Sequence, residues 1–160
     1  MFEIFFSFLI TTADPLPEMP YNGHLPLTID PMELPLPPDI NCLAVNMYFE
    51  ARNQGDDGMA AVANVTINRV EDHRFPNKVC SVVYQKNEIG CQFSWVCAEE
   101  KYGIYNKGMY KKSKEIAWKV LTNQLPDNTG GSLFYHAVYV NPKWPFKKVT
   151  QIGEHIFYRL

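Results

Sequence analysis

Proline is distributed very unevenly along this chain, and its distribution decides where a packed domain can begin. Eight of the 12 prolines lie between Asp14 and Pro38, and no lysine or arginine occurs in that stretch. Proline fixes its own φ angle and lacks a backbone N–H, so a proline-dense segment favours extended, solvated backbone. We therefore predict an acidic linker over residues 14–38 and one folded domain over residues 39–160.

The overall composition is that of a globular protein. Hydrophobic residues make up 46% of the 160 residues and charged residues 20%, which excludes a disordered chain or a coiled coil. No apolar run approaches the roughly 20 residues that a membrane-spanning helix needs, which excludes an integral membrane protein. Ile4–Ile10, followed by Thr11-Thr12-Ala13, has the pattern of a signal peptide, although Glu3 stands where a positive charge is usual. Residues 1–13 are therefore a candidate signal or anchor segment for export to the periplasm or cell wall, with at most transient membrane association.

Charge separates the two ends of the chain. Every lysine and arginine lies at or after Arg52. The first 51 residues carry a net charge of −7 and the remainder carries +5. A mildly basic domain suits an anionic partner such as cell wall polymer, a membrane surface or nucleic acid. An ordinary solvated surface explains the same charge equally well.

The chain has four cysteines, which allow three pairings if all are bridged. Cys91 and Cys97 are close enough in sequence to close a small loop, which would leave Cys42 to pair with Cys80, but sequence alone does not decide among the pairings. The tight two-residue cysteine spacings of a zinc site, with histidine close by, do not occur. We expect disulfides, and hence an oxidising destination.

Apolar periodicity predicts four helices and two strands. The helices cover Ile40 to Asn53, Gly58 or Met59 to about Val70, Lys78 to Tyr84, and Tyr110 to about Leu125; the strands cover Leu133 to Val140 and Ile156 to Arg159. Gly55–Gly58 is predicted to break the chain after the first helix, with Asp57 capping the second. Pro126 is predicted to stop the last helix. The predicted fold class is α+β, mainly helical, in a single domain.

Glu50 occupies an unusual position on the first predicted helix. At about 100° per residue, it lies roughly 20° from Leu43 and within about 60° of Met47, so its carboxyl group projects from the apolar stripe. Burial disfavours the charged form and raises the pKa of a carboxyl group, which suits a general acid at neutral pH. The alternative is that Glu50 turns to solvent, or pairs with Arg52 or Arg69.

Two further groups of side chains suit sugar binding. Gln92-Phe93-Ser94-Trp95, between two cysteines, combines hydrogen-bonding groups with flat aromatic faces, although aromatic side chains of a small domain more often belong to the core. Tyr135 and His136 lie in a predicted strand, where His136 shares a face with Phe134. A core histidine with one hydrogen bond is the alternative to a ligand or proton carrier.

These residues belong to a longer ordered pattern that resembles the SleB-type cell wall hydrolase family. The matching segments are Asn46–Arg52, Gly58–Val70, Phe75–Asn77, Val83–Gln85, Gln92–Trp95, Phe134–Ala137, Val140–Trp144 and Ile152–Arg159. The resemblance spans about Ile40 to Leu160 and leaves the first 39 residues outside it. The usual motif begins Gly-Glu-Ala-Arg, whereas this chain has Phe49 before Glu50, a change that we expect to alter packing rather than chemistry.

The resemblance implies a lysozyme-like fold and a defined reaction. Family members cleave peptidoglycan between N-acetylmuramic acid and N-acetylglucosamine by lytic transglycosylation, and they act on spore cortex or serve bacteriophages as endolysins. The family's catalytic glutamate falls on Glu50, and the substrate-binding residues that we expect to line its cleft are Gln92, Ser94, Trp95, Tyr135 and His136. We expect a monomer without a metal or another cofactor, and without nucleic acid as a partner. The setting is either wall remodelling or phage lysis, with the host cytoplasm as the location before lysis.

Two other functional classes remain open from the sequence. A zinc-dependent N-acetylmuramoyl-L-alanine amidase would use His136, His155 and a carboxylate or cysteine as metal ligands, although no His-Glu-x-x-His pattern occurs. A non-catalytic peptidoglycan-binding module would use aromatic and lysine side chains to grip the glycan.

Overall fold

The computed structural model describes residues 36–88, 90–98 and 103–160. The predicted segments 1–13 and most of 14–38 lie outside these residues. The helices are α1 (Pro38–Ala51), α2 (Gly55–Glu71), α3 (Val79–Val83), α4 (Ser94–Cys97) and α5 (Lys107–Leu121). The strands are β1 (Lys86–Asn87), β2 (Gly90–Cys91), β3 (Phe134–Ala137), β4 (Lys147–Ile152) and β5 (His155–Arg159). Among the described residues, no helix is long and apolar enough to cross a bilayer.

Helix α2 is the centre of the helical core. Its residues from Gly58 to Thr66 are all buried, so it is covered on every side, and it contacts α1, α3 and α5. Small side chains make this possible, because Ala60, Ala61 and Ala63 let neighbouring backbones approach closely. The apolar stripe of α1 packs against the same helix through Leu43, Met47 and other buried residues. Amphipathic helices around a buried central helix thus form most of the core.

The starts of α1 and α2 differ from the predicted ones. Helix α1 begins with Pro38, whose fixed φ suits the first helical turn, and it ends at Ala51 rather than Asn53. The expected break at Gly55–Gly58 is wrong, since these residues form the first turn of α2. Asp57 therefore lies inside the helix and does not cap it; Gln54 occupies the cap position, but its side chain makes no capping hydrogen bond. Acidic residues in this turn still favour the helix, because its N-terminal end carries a partial positive charge.

Helix α5 is displaced from its predicted limits toward the N-terminus. It starts at Lys107, where the Asn106 side chain accepts a hydrogen bond of 2.9 Å from the backbone N–H of Met109. It ends at Leu121 rather than near Leu125, and Asn123 then takes a left-handed φ of 57°. Pro126 is therefore not the residue that stops this helix.

A three-stranded antiparallel sheet packs beside the helices in the order β3-β5-β4. The predicted pairing of the segment before Val140 with the C-terminal segment is confirmed, with Tyr135 opposite Phe157. Phe157 is fully buried against Ala61 and Val65 of α2. Strand β4 was not predicted, because its residues are mostly exposed and lack a clear alternation of apolar and polar side chains.

Two disulfides join the helical core to its surroundings. Cys42–Cys80 links α1 to α3, and Cys91–Cys97 closes a loop that contains the start of α4. All four cysteines are bridged, in the arrangement that sequence spacing favoured but did not decide. The second bridge closes the segment that carries Gln92 and Ser94.

Candidate active site

Glu50 lies in the last turn of α1, at the wall of a cleft with a volume of about 320 Å³. We call this the first cleft. Its walls come from α1, α2, the Cys91–Cys97 loop and β3, with one residue from the segment after β3. The lining residues are Glu50, Arg69, Gln92, Phe93, Ser94, Phe134, Tyr135 and Trp144. The structure thus brings together four of the predicted site residues, namely Glu50, Gln92, Ser94 and Tyr135.

The Glu50 carboxyl group is held by Tyr135. The phenolic hydroxyl of Tyr135 donates a hydrogen bond of 2.8 Å to Oε2 of Glu50. Burial raises the pKa of Glu50 above its ordinary value; the Tyr135 hydrogen bond and the positive charge of Arg69 oppose this rise without cancelling it. Burial and the neighbouring Glu50 raise the pKa of Tyr135 well above its ordinary value, so the phenol keeps its proton at neutral pH. The site therefore holds a carboxyl group with increased proton affinity beside a permanent hydrogen-bond donor.

Arg69 is a buried cation in the same cleft, with a relative exposure of 3%. Its Nε donates a hydrogen bond of 2.8 Å to the Leu133 carbonyl, and its guanidinium lies 5.4–5.9 Å from the ring centres of three phenylalanines, Phe75, Phe93 and Phe134. With the amide oxygen of Gln92 turned toward the guanidinium, that oxygen accepts from both Nη atoms at 3.2 Å. Burial lowers the pKa of Arg69 to about 10, which still leaves it charged at neutral pH.

The loop at residues 126–133 is attached to the polar face of α2. Asn68 donates to the carbonyl of Ser132 at 3.0 Å and to Oγ1 of Thr129 at 3.3 Å. The carboxylate of Asp127 in turn accepts from the backbone N–H of Thr129 at 2.7 Å. These bonds fix the entry to β3, and through it the position of Tyr135 relative to Glu50.

Trp95, predicted as a wall of the cleft, does not line it. Its Nε1 donates a hydrogen bond of 3.0 Å to Oδ1 of the buried Asn46, and its ring lies 4.8 Å from that of Phe49. The indole therefore packs α4 onto α1, because its one polar group is satisfied inside the protein. Phe49, in the position where the family motif has glycine, takes part in this packing.

His136, predicted for the same cleft, also lies elsewhere. Successive residues of a strand face opposite sides of the sheet, so His136 points away from the face that carries Tyr135. Its Nδ1 donates to the Ala137 carbonyl at 2.8 Å, and its Nε2 lies 2.9 Å from the hydroxyl of Tyr158. It lines a separate cleft of about 350 Å³, which we call the third cleft because the second cleft, described next, adjoins Glu50. The other residues that line the third cleft are Val138, Val140, Asn141, Pro142, Lys143, Trp144, Ile156 and Tyr158.

A second cleft, of about 440 Å³, is also lined by Glu50. Its lining residues are Phe49, Glu50, Arg52, Asn53, Gln54, Ala137, Tyr139, Glu154 and His155. Gln54 accepts from the backbone N–H of Glu154 at 2.8 Å and donates to its carboxylate at 3.0 Å, which ties the β4–β5 turn to the start of α2. Burial lowers the pKa of His155, so its ring is neutral at neutral pH. Glu50 is the residue that the first and second clefts share.

The histidines considered as zinc ligands are not brought together. In the β3–β5 register, His136 lies opposite Ile156 and His155 opposite Ala137, so the two rings face opposite sides of the sheet. Across the described ranges, no three histidine, cysteine, aspartate or glutamate side chains are grouped closely enough to hold a metal ion.

Arg69 and Trp144 are site residues that the sequence interpretation missed. Arg69 was considered only as an ion-pair partner for Glu50, and Trp144 only as part of a motif. A usable signal for Arg69 was present, since position 69 places a charged side chain on the buried helix face of Val62 and Val65.

Comparison with known proteins gives a consistent result. The sequence profile of the family described as Cell Wall Hydrolase matches residues 53–158, a segment that begins three residues after Glu50. The spore cortex-lytic enzyme of Bacillus cereus is 28% identical over 128 residues, which cover 74% of this chain and 43% of the relative. That of Oceanobacillus iheyensis is 29% identical over 126 residues, covering 74% of this chain and 41% of the relative. The chain thus spans less than half the length of these curated relatives.

Solved structures match over a similar share of the chain. The catalytic domain of the Bacillus cereus SleB protein is 30% identical with a TM-score of 0.59, covering 76% of this chain and 89% of that domain. The catalytic domain of the germination-specific lytic transglycosylase SleB from Bacillus anthracis is 30% identical with a TM-score of 0.58, covering 76% of this chain and 93% of that domain. The mainly helical α+β fold expected from the sequence is confirmed. This chain therefore belongs to the cell wall hydrolase family.

Proposed function

We propose that this protein degrades peptidoglycan as a lytic transglycosylase, cleaving the bond between N-acetylmuramic acid and N-acetylglucosamine with Glu50 as the acid and base. The observation that carries the proposal is the position of Glu50 between two clefts, with its Oε2 bonded to Tyr135 at 2.8 Å. A polymer that crosses Glu50 would place one sugar in each cleft. The relatives' names, spore cortex-lytic enzyme and lytic transglycosylase, agree with this substrate and reaction.

In the first step, Glu50 donates its proton to the glycosidic oxygen. Because Oε2 accepts from Tyr135, Oε1 is the oxygen that carries the transferable proton. As the bond breaks, positive charge develops at the anomeric carbon of the muramic acid and negative charge develops on Glu50. The Tyr135 hydrogen bond and the charge of Arg69 both stabilise that carboxylate, so both lower the barrier to proton donation.

In the second step, the Glu50 carboxylate takes the proton from the 6-hydroxyl of the same muramic acid. The hydroxyl oxygen attacks the anomeric carbon and closes a 1,6-anhydro ring, and Glu50 is again protonated. A glycosidase that uses water normally needs a second carboxylate as nucleophile or base. Glu50 is the one carboxylate among the described residues that line the first cleft, and an internal hydroxyl removes the need for another.

The protein would act outside the cytoplasm. Two disulfides favour an oxidising compartment, and peptidoglycan lies there as well. We propose a monomer that serves either wall remodelling or phage lysis, with residues 1–13 as a signal or anchor and residues 14–38 as a linker.

The test is release of soluble fragments from purified peptidoglycan by the wild type and by Glu50→Gln, each with and without EDTA. We expect wild-type release that EDTA does not change, and a loss of roughly a hundredfold or more in Glu50→Gln. Glu71→Gln, which removes an exposed carboxylate, is the matched control and should release fragments at the wild-type rate. Release of free stem peptides that EDTA abolishes would indicate the amidase instead. Binding to sacculi without any release by the wild type would indicate a binding module.

A further inference from the structure

The third cleft is separate from the two that flank Glu50, yet it touches the first of them. Trp144 lines both the first and the third cleft. The third cleft therefore adjoins the proposed catalytic cleft at this indole, whereas the second cleft adjoins it at Glu50.

The lining of the third cleft combines apolar side chains, polar groups and one cation. Val138, Val140 and Trp144 are exposed large hydrophobic side chains, with relative exposures of 41%, 44% and 37%. Lys143 is the one charged side chain among the described lining residues, and it makes no ion pair with any residue that the structure describes. The cleft thus offers methyl groups, an aromatic wall and a free positive charge.

The polar rings at the base of the cleft have little hydrogen-bonding capacity left for a sugar. The two nitrogens of His136 are taken by the Ala137 carbonyl and the Tyr158 hydroxyl, and the rings of His136 and Tyr158 stack at 5.1 Å. A sugar ring carries several hydroxyl groups that need partners when they are buried. Such a surface suits a ligand with small apolar groups and a carboxylate better than it suits another sugar.

We propose that the third cleft binds the peptide stem attached to the muramic acid whose glycosidic bond is cleaved, with Lys143 pairing with a stem carboxylate. This proposal rests on the proposed function. In peptidoglycan that carries stems, the lactyl carboxyl of muramic acid is an amide, so the glycan is neutral and the negative charges lie on the peptide. Alanine methyl groups of a stem match Val138 and Val140, and Asn141 adds an amide side chain to the lining that can bond to peptide groups.

The test measures dissociation constants of two soluble ligands for the full chain carrying Glu50→Gln, which prevents turnover. One ligand is the disaccharide of N-acetylglucosamine and N-acetylmuramic acid with a tetrapeptide stem, and the other is the same disaccharide with its lactyl carboxyl as a simple amide. We expect the stem to improve affinity, and Lys143→Gln to weaken only the stem-bearing ligand by about tenfold, as expected for a lost charge-assisted hydrogen bond. Lys148→Gln, an exposed lysine that does not line the cleft, should change neither constant.

Two results would overturn the proposal. Equal affinity for the two ligands would show that the stem is not bound, and an equal loss for both ligands in Lys143→Gln would show that the lysine acts elsewhere. If the bare disaccharide binds and the wild type cleaves peptidoglycan, either result rejects only the stem site. If neither ligand binds and the wild type releases no fragments, both the proposed function and the stem site are rejected.

Discussion

The hydroxyl group of Tyr135 in β3 donates a hydrogen bond to Oε2 of Glu50, and the two oxygens are 2.8 Å apart. The two residues are separated by 85 positions in the sequence. The bond connects the sheet to the last turn of α1 at the point where the first and second clefts meet. It gives the carboxyl group a defined orientation and makes its charged form less unfavourable. The chemistry proposed for Glu50 depends on this contact.

Tyr135→Phe should therefore reduce turnover while preserving the fold. The substitution keeps the ring and removes only the donor, so we expect a decrease in kcat of about tenfold or more, the usual size for a hydrogen bond to a charged group. The bond favours the charged form of Glu50, so its loss raises the pKa of Glu50 further. Because the acid must be protonated, activity falls as pH rises through this pKa, and the alkaline limb of the rate profile should move to higher pH. Tyr105→Phe, at a hydroxyl on an exposed side chain that lines none of the three clefts, should leave the profile in place.

Arg69→Met should also move the alkaline limb of the pH–rate profile to higher pH. It removes a buried positive charge that favours the Glu50 carboxylate, so the pKa of Glu50 rises. The carboxyl carbon of Glu50 can be titrated directly by NMR, which does not need activity. Arg159→Met removes an exposed charge that lines none of the three clefts and serves as the control. An unchanged Glu50 pKa in Arg69→Met would mean that Arg69 has only a structural role.

Glu50→Gln should stabilise the protein at neutral pH. The pKa of Glu50 is raised in the folded state, so that state binds more protons than the unfolded chain above the ordinary carboxyl pKa. Stability then falls as pH rises through the interval between the ordinary and the raised values. Glutamine cannot ionise and still accepts from Tyr135, so its melting temperature should exceed that of the wild type at neutral pH. The difference should disappear at a pH below the ordinary carboxyl pKa; a variant less stable than the wild type at neutral pH would contradict this account.

Removal of the two disulfides should affect stability and activity to different extents. The Cys42–Cys80 bridge has a sequence separation of 38, so its removal should lower the free energy of unfolding by about 4 kcal/mol through loop-closure entropy. The Cys91–Cys97 bridge has a separation of 6, and its removal should lower the free energy of unfolding by about 2 kcal/mol. The shorter loop carries Gln92 and Ser94, which line the first cleft. The double Ser variant of Cys91 and Cys97 should therefore lose less stability and more activity than that of Cys42 and Cys80. Denaturant unfolding and fragment release on the same samples would compare the two effects.

Substitutions of the two tryptophans near the site, Trp95 and Trp144, should have different effects. Trp95→Phe loses the hydrogen bond to Asn46 inside the protein, so it should lower the free energy of unfolding by about 1–3 kcal/mol. Trp144→Ala removes a side chain that lines two clefts and is 37% exposed, so it should mainly raise KM. The reverse pattern would restore Trp95 as a substrate-binding residue.

Local pattern predicted four of the five described helices and missed α4, a single turn. It also predicted the position of Glu50, because a helical period of 3.6 residues already places that carboxyl group on the buried face of α1. The same kind of reasoning applied to β3 should have separated Tyr135 from His136, since neighbouring strand residues face opposite sides. His136 was assigned to the cleft because it belongs to a family motif. A sequence motif does not show to which side of the sheet each side chain points.

The roles of Arg69 and Trp144 at the site depend on the tertiary structure. Arg69 becomes a site residue only because Phe93, Phe134 and the Leu133 carbonyl, all distant in sequence, surround its guanidinium. Trp144 lies in a segment between β3 and β4 without secondary structure, where periodicity gives no information. Strand β4 was missed for a related reason: its side chains are largely exposed, so its pairing with β5 depends on backbone hydrogen bonds.

The most direct test of the central claim is mass spectrometry of the fragments released by the wild type in water enriched in heavy oxygen. The account predicts 1,6-anhydromuramic acid ends that contain no heavy oxygen, since the muramic acid's own 6-hydroxyl attacks, and no such products from Glu50→Gln. Reducing muramic acid ends that carry heavy oxygen would contradict it, because water would then be the nucleophile and a second group would have to activate it.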